Sequence, residues 1–201
     1  MPAQILGAYF KSVMGSMLDA TAALLFPQYR RRIAEMRDDA WYPMDDYVRM
    51  LSDLHAKLGD ATMTALGQAS MQKTLPRIKA EGFDTPEKVF TDFNALQKGV
   101  VRDVDPRSFS RTVVLTQDTL VLESTARVPP PLMLGYLRGL LFGFGQIVTT
   151  ESVERTGDAV RFHLKWVSGL ALPAANVTAP RPPSGSATPP RPARLAPPPR
   201  R

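Results

Sequence analysis

The apolar residues of this chain change period part-way along it, and that switch limits the folds open to it. Up to about residue 102 they recur every third or fourth position. From residue 109 they fall in short β-rich runs, and at the end they alternate strictly. A period near 3.6 buries one stripe of a helix, and a period of two buries one face of a strand. The chain therefore reads as helices first and sheet second. Antiparallel strands with helices segregated from them make an α+β domain.

In the first half, Ile5, Tyr9, Phe10, Val13 and Met17 predict a helix over 5–25. A short basic helix over 29–37 follows Pro27. Tyr42 precedes a proline and should be extended, while Pro43 can open the next helix. Asp45 and Asp46 suit that helix's first turn, Tyr47, Met50, Leu51 and Leu54 form its stripe, and Gly59 ends it. Asp60 suits the cap of a helix over 61–80, whose buried side holds Met63, Leu66, Gly67, Ser70, Met71 and Leu75 and within which Pro76 predicts a kink. Thr85-Pro86-Glu87 starts a helix running to about 102.

In the second half, runs at 109–116 and 119–126 predict a hairpin turning at Gln117-Asp118. The apolar segment 132–148 contains Arg138 and four glycines, and it falls short of the ~20 apolar residues of a membrane span. It reads as a buried helix. A second hairpin, 147–155 with 159–166, turns at Gly157-Asp158. In its last strand Val160, Phe162, Leu164 and Trp166 alternate with Arg161, His163 and Lys165. The expected domain is thus N-terminal helices and an antiparallel four-stranded sheet in the order β-β-α-β-β, over residues 1–168.

Residues 169–201 read differently. The chain has 19 prolines, nearly twice the usual ~5%, and they crowd after residue 179. Such a segment favours extended polyproline II and cannot bury a core. It is expected to be a disordered Pro/Arg-rich tail. It holds no acid and five arginines, so of the net charge of +6 only about +1 belongs to the rest. A nucleic-acid-binding face on the domain is not indicated by that balance. Arg191, Arg194, Arg200 and Arg201 lie among prolines and suit acidic partners or aromatic grooves. A passive solvating tail is the alternative.

The chain has no cysteine, which removes disulfides, thiolate metal sites and cysteine nucleophiles and suits a reducing cytoplasm. It has two histidines, His55 and His163, far apart in sequence and without a carboxylate pairing that would make a site. Asp38, Asp39, Asp45 and Asp46 lack the spacing of a calcium loop. No glycine-rich phosphate loop, GxSxG elbow or HExxH occurs. Arg30, Arg31 and Arg32 could grip an oxyanion or acidic partner, or form a solvated helix face. Trp41, Tyr42, Tyr47, Phe90, Phe93 and Tyr136 are the candidates to line a pocket, against the plainer reading that they are core.

Trp41-Tyr42-Pro43 followed by Asp46-Tyr47-Val48 and Leu58-Gly59-Asp60, with Gly157-Asp158 leading to Phe162-His163-Leu164-Lys165-Trp166, resembles a superfamily pattern over about residues 7–166. The superfamily joins bacterial heme-nitric-oxide-binding-like domains, 4-vinyl-reductase domains and subunits of vesicle-tethering complexes. The resemblance implies a groove between helices and sheet that holds a small molecule or a partner. Heme-binding members use an axial histidine and a Tyr-x-Ser-x-Arg motif, and 4-vinyl-reductase members often carry a cysteine cluster. This chain has neither the motif nor a cysteine.

The expected function is a non-enzymatic small-molecule-sensing or protein-interaction module of a bacterial cytoplasmic pathway, without a cofactor or metal. A tetrapyrrole- or heme-related binding protein or enzyme is one alternative, and a dimeric assembly protein is the other. Because the core ends near Trp166, truncation after Gly169 should leave the melting temperature within about 2 °C of the full chain, less than the roughly 2–4 °C that a 1 kcal/mol change produces at this size. A larger drop in a thermal melt would place the domain boundary elsewhere.

Overall fold

The computed structural model describes residues 2–17, 19–105, 108 and 110–169. The chain divides into the units Met1–Gly169 and Leu170–Arg201. The second unit, with the prolines and arginines expected to form the tail, lies outside the described residues.

The second half follows the period-two pattern. Strands β4 (Ser110–Leu115), β5 (Thr119–Ser124), β6 (Gln146–Thr156) and β7 (Ala159–Ser168) form one antiparallel sheet in the order β4-β5-β7-β6, with α7 (Pro130–Gly143) between the hairpins in sequence. The pairing of Leu122 with Phe162 and Leu120 with Leu164 sets the inward faces in register. Those four and Trp166 are buried, whereas Lys165 is exposed. The chain has an α+β fold.

The first half departs from its periodicity in three places. The helix expected over 5–25 is three elements: β1 (Gln4–Leu6), α1 (Gly7–Met14) and α2 (Asp19–Leu25). Ile5 in β1 pairs with Tyr42 of β2 (Trp41–Pro43) on one side and with Val101 of β3 (Val101–Arg102) on the other. A second, three-stranded sheet results, with β1 at its centre. Pro43 closes β2 and stands just before the helix rather than in it. The helix expected over 85–102 is likewise two, α5 (Pro86–Thr91) and α6 (Phe93–Lys98), broken at Asp92, whose carboxylate accepts the Ala95 amide at 3.0 Å. Thr85 caps α5 as its sequence suggests, accepting the Lys88 amide at 3.2 Å.

Between them, α3 (Pro27–Glu35) carries the arginine run, and α4 (Met44–Ala80) spans the domain. Its one non-helical residue is Gly59, at φ 73° and ψ 175°. That conformation is open essentially to glycine alone. Pro76 does not break the helix, and the bend expected there is at Gly59 instead. Asp60 does not serve as a cap at this break, since its carboxylate meets His55 at 2.5 Å.

Two apolar clusters result. One joins β1, α1 and the first part of α4, through Ile5, Phe10, Met50, Leu51 and Leu54. The other joins the large sheet, α7, α5, α6 and the last turns of α4. Helices α4 and α7 connect the two by lying almost backbone to backbone. A Cβ at Gly135 would run into the carbonyl oxygen of Thr64, and one at Gly139 would sit 2.7 Å from the Gln68 carbonyl oxygen. At Gly143 the obstacle is only the end of the Leu75 side chain.

That difference makes a graded prediction. Overpacking a tight contact costs about 1–3 kcal/mol. Gly135→Ala should lower the urea-unfolding free energy by about 2 kcal/mol or more. Gly143→Ala should stay within about 1 kcal/mol of the parent, because Leu75 can turn aside and alanine is the better helix former by roughly 0.5–1 kcal/mol. Equal losses at the two positions would contradict a backbone-to-backbone contact.

Candidate functional site

Where the two clusters meet, helix and sheet do not close completely. A cavity of about 240 Å³ remains. Its apolar wall comes from Ile5 of β1, Met71 and Ile78 of α4, Phe93 and Leu96 of α6, and Met133 of α7. Val101, Val104 and Val128 extend that wall, and Arg127 stands at its exposed edge, paired with Asp45 at 2.6 Å.

One side of the cavity is polar, and its hydroxyls are paired in two groups. The Tyr47 and Tyr136 hydroxyls lie 2.8 Å apart. The Ser70 hydroxyl donates to the Ser12 hydroxyl at 2.6 Å. Ser12 donates to the Tyr9 carbonyl oxygen at 2.7 Å. Each position follows from the scaffold. Ser70 sits one turn beyond Gly67 on α4, and a Cβ at Gly67 would be 3.1 Å from the Tyr136 amide. The close helix approach therefore sets Tyr136 beside Ser70. Tyr47 comes from the first turn of α4, where β2 delivers the chain.

Burial pushes the Tyr136 hydroxyl up to about 12, with the Tyr47 and Ser70 hydroxyls offsetting part of the effect. Burial likewise holds Tyr47 well above the ordinary tyrosine value, and Tyr136 beside it adds to the shift. Burial also raises Tyr9, assisted by Glu81 and opposed by Arg77. These groups are neutral hydrogen-bonding hydroxyls, not bases.

Three of the six aromatic candidates, Tyr47, Phe93 and Tyr136, lie in the cavity wall. The other three are elsewhere. Phe90 is fully buried in the sheet-side cluster and stacks on Phe93 with centroids 6.2 Å apart. Trp41 lies under the Arg102 guanidinium at 4.5 Å. Tyr42 packs edge-on against Phe10, and its hydroxyl accepts the Arg37 amide at 2.9 Å. Strand β2 carries both into the three-stranded sheet. The periodicity passed over Ser12, Ser70 and Tyr9 as site groups. The one available signal was Ser70, a hydroxyl on an otherwise apolar helix face.

The arginine run does not converge on the cavity. Arg30 and Arg31 are exposed on α3, and Arg32 pairs with Asp46 at 2.5 Å. Arg191, Arg194, Arg200 and Arg201 lie outside the described residues. The acidic pairs are occupied by cations: Asp38 by Lys11 at 2.7 Å and Asp39 by Arg37 at 2.8 Å. Among the described residues no group of three histidine, aspartate or glutamate side chains could hold a metal ion. Nor is any described helix long and apolar enough to cross a membrane.

No family model and no curated protein matches the sequence. Solved structures do. An H-NOX protein from K. algicida in the Fe(II) unliganded state superposes with a TM-score of 0.56 at 12% identity, over 83% of this chain and 98% of that one. An H-NOX protein mutant from S. oneidensis in the Fe(II) ligation state gives 0.57 at 13%, over 84% and 99%. An I5F mutant of T. tengcongensis H-NOX gives 0.55 at 12%, over 80% and 96%. The fold is that of H-NOX domains. These neighbours support the heme-nitric-oxide-binding part of the resemblance, and at this identity they speak to the fold alone.

An H-NOX fold implies heme, and the residues around this cavity do not fit it. His55 lies on α4 against Asp60, and His163 lies on β7 with its Nε2 3.5 Å from Glu154. Neither lines the cavity. The iron ligands left there are tyrosine and methionine, and ligation by tyrosine needs the phenolate that burial disfavours here. Among the described residues the one arginine in the wall, Arg127, is already paired with Asp45.

The raised hydroxyls give a pH prediction. Free tyrosine ionises near pH 10, so above it the unfolded chain loses protons that folded Tyr136 keeps up to about pH 12. Stability contributed by Tyr136 is complete below about pH 10 and falls as pH rises through about 12. Urea midpoints measured from pH 9 to 11 should decline less steeply in Tyr136→Phe than in the parent. Identical slopes would mean that this hydroxyl is solvated.

Proposed function

We propose that this chain is a non-enzymatic sensing module that keeps the H-NOX fold and takes a small, mainly apolar organic molecule where heme would be expected. The observation that carries the reading is the cavity itself. It is apolar over most of its wall, has hydroxyls along one side, and offers neither histidine to iron. Small-molecule sites are commonly concave, mostly apolar and furnished with a few placed polar groups. The cavity also lies between the two apolar clusters, so an occupant touches Ile5 and Tyr47 of one and Met71 and Phe93 of the other. Filling it would couple ligand binding to the packing of the two clusters, which is what a sensing module requires. Among the described residues, no nucleophile–base pair or metal cluster in the wall argues for turnover.

A second reading, contact with a protein partner, rests on the large sheet. Ile147 and Val167 stand opposite each other on β6 and β7 and are 51% and 52% exposed. An apolar cross-strand pair left open is a surface that a partner can cover.

Native mass spectrometry of the purified protein, with an absorbance scan after hemin addition, tests both readings. The expected result is a bound organic molecule of low mass, or uptake of added apolar probes, with no Soret band. Stoichiometric heme uptake with a Soret band would overturn the ligand assignment. Turnover of a bound molecule would overturn the non-enzymatic part. A second chain in the spectrum would favour the partner reading.

A further inference from the structure

The large sheet has two edges, and they are not alike. At one, β4 is six residues long, its register with β5 shifts between Thr112 and Val114, and its Thr112 hydroxyl donates to the Phe90 carbonyl oxygen of α5 at 2.5 Å. A short strand, a bulge and a covering helix are common ways of blunting an edge. At the other, β6 runs for 11 residues, about twice the usual strand, with neither lysine nor proline. Its register shift falls near its start, between Val148 and Thr150, so 150–156 is regular up to the turn at Gly157.

Half of the backbone groups in that run are free. Trp166 donates its amide to the Asp118 carbonyl oxygen at 2.9 Å. By alternation Val160, Phe162 and Leu164 also bond to β5, and Arg161, His163 and Lys165 turn their backbone groups to β6. Opposite those three stand Glu154, Ser152 and Thr150. Glu151, Val153 and Arg155 therefore direct their N–H and C=O groups away from β7, where no strand follows among the described residues. Their side chains share the α7 face of the sheet. The Arg138 Nε of α7 donates to the Glu151 carboxylate at 2.5 Å. Val153 is 41% exposed, although it pairs with buried Phe162. Arg155 is exposed and has no ion-pair partner among the described residues.

A row of unpaired donors and acceptors is a template for another strand, and the side chains specify which one. Two copies of β6 related by a two-fold axis run antiparallel, and each residue meets the one equally far beyond the axis. Paired residues share a face, so the axis passes through a residue and not between two. An axis at Glu151, Glu154 or Arg155 would oppose like charges. An axis at Ser152 would set Glu151 against Val153. An axis at Val153 sets Val153 against its own copy and Glu151 against Arg155, twice by symmetry. It also uses the whole regular run, with Thr150 against Thr156, and lets Glu151, Val153 and Arg155 exchange both backbone bonds with their opposites.

We propose that β6 is an interface for a second copy of this chain, the two strands pairing antiparallel about Val153 so that two four-stranded sheets become one. Arg155 of each copy then stands beside a Glu151 already held by Arg138, which makes an Arg–Glu–Arg group on each side of the axis. A strand pair of this length is smaller than the roughly 1,200 Å² of a stable interface, so the dimer is reversible. This pairing is independent of what fills the cavity.

Sedimentation equilibrium of the full chain, from about 5 to 500 µM, should show a mass rising from monomer toward dimer. Arg155→Glu opposes acids at both symmetric positions and should weaken association by about fivefold or more. Arg155→Lys keeps the charge and should associate like the parent. The chain has no cysteine, so one introduced thiol reports on its own position. Under mild oxidation Val153→Cys should form a disulfide-linked dimer, because directly opposed residues have Cα atoms about 5.5 Å apart, within disulfide reach. Thr156→Cys should not, because its two copies stand roughly 20 Å apart along the strands. Thermal melts establish that each variant folds. A strict monomer at the highest concentration overturns the proposal. So does a dimer indifferent to Arg155→Glu, as one closed over Ile147 and Val167 would be, and so does cross-linking that is absent at Val153→Cys or equal at the two thiol positions.

Discussion

The structure depends on the contact between α4 and α7. Two helices ordinarily pack with axes about 8–10 Å apart, held off by their side chains. Here Gly67 faces Gly135, and Gly139 faces Gln68 and Met71, so the backbones themselves meet. The glycines of α7 fall at every fourth position, Gly135, Gly139 and Gly143, which puts all three on one stripe. The sheet packs behind α7, and β1 and α1 pack against the first part of α4. The contact is thus the joint between two apolar clusters that would otherwise be separate.

The cavity depends on the same joint. Tyr136 follows Gly135 directly, and Ser70 follows Gly67 by one helical turn. Bringing the two glycines together brings the two hydroxyls together. The surrounding side chains are large and apolar, so the polar atoms satisfy one another in two groups, Tyr47 with Tyr136 and Ser70 through Ser12 to the Tyr9 carbonyl. In a low-dielectric setting such links are rigid when complete and unfavourable when broken. The first ties the start of α4 to α7, and the second ties the later part of α4 to α1.

How much of this could be read in advance differs between the halves of the chain. The large sheet was legible because alternation over Val160–Trp166 and the turns at Asp118 and Gly157 are local signals. The small sheet was not. Gln4–Leu6 carries residues that fit a helical stripe, and only Tyr42 and Val101, distant in sequence, supply the ladder that makes it extended. Helix breaks divided in the same way. Gly59 announced itself by its residue type, whereas the break at Asp92 turns on a cap that competes with the helix from inside it. Among the aromatic candidates, helical position alone did not separate Phe93, in the cavity wall, from Phe90 one turn earlier and fully buried. Ser70 carried the better clue, because a hydroxyl on a buried stripe must have a partner.

A fold shared with iron-binding domains does not bring their chemistry along, and here the reason is local. Heme iron is held by an imidazole, a thiolate or a phenolate, with methionine serving beside a histidine. In this cavity the tyrosines are held neutral by burial, the two histidines lie outside the wall, and Arg127 is paired with Asp45. On the proposed reading, a ligand in this cavity would act only through differential affinity, since a ligand shifts an equilibrium no further than its preference for one state over the other. The cavity is lined by residues of both apolar clusters, so its occupant would bias how the two pack against each other about the α4–α7 joint.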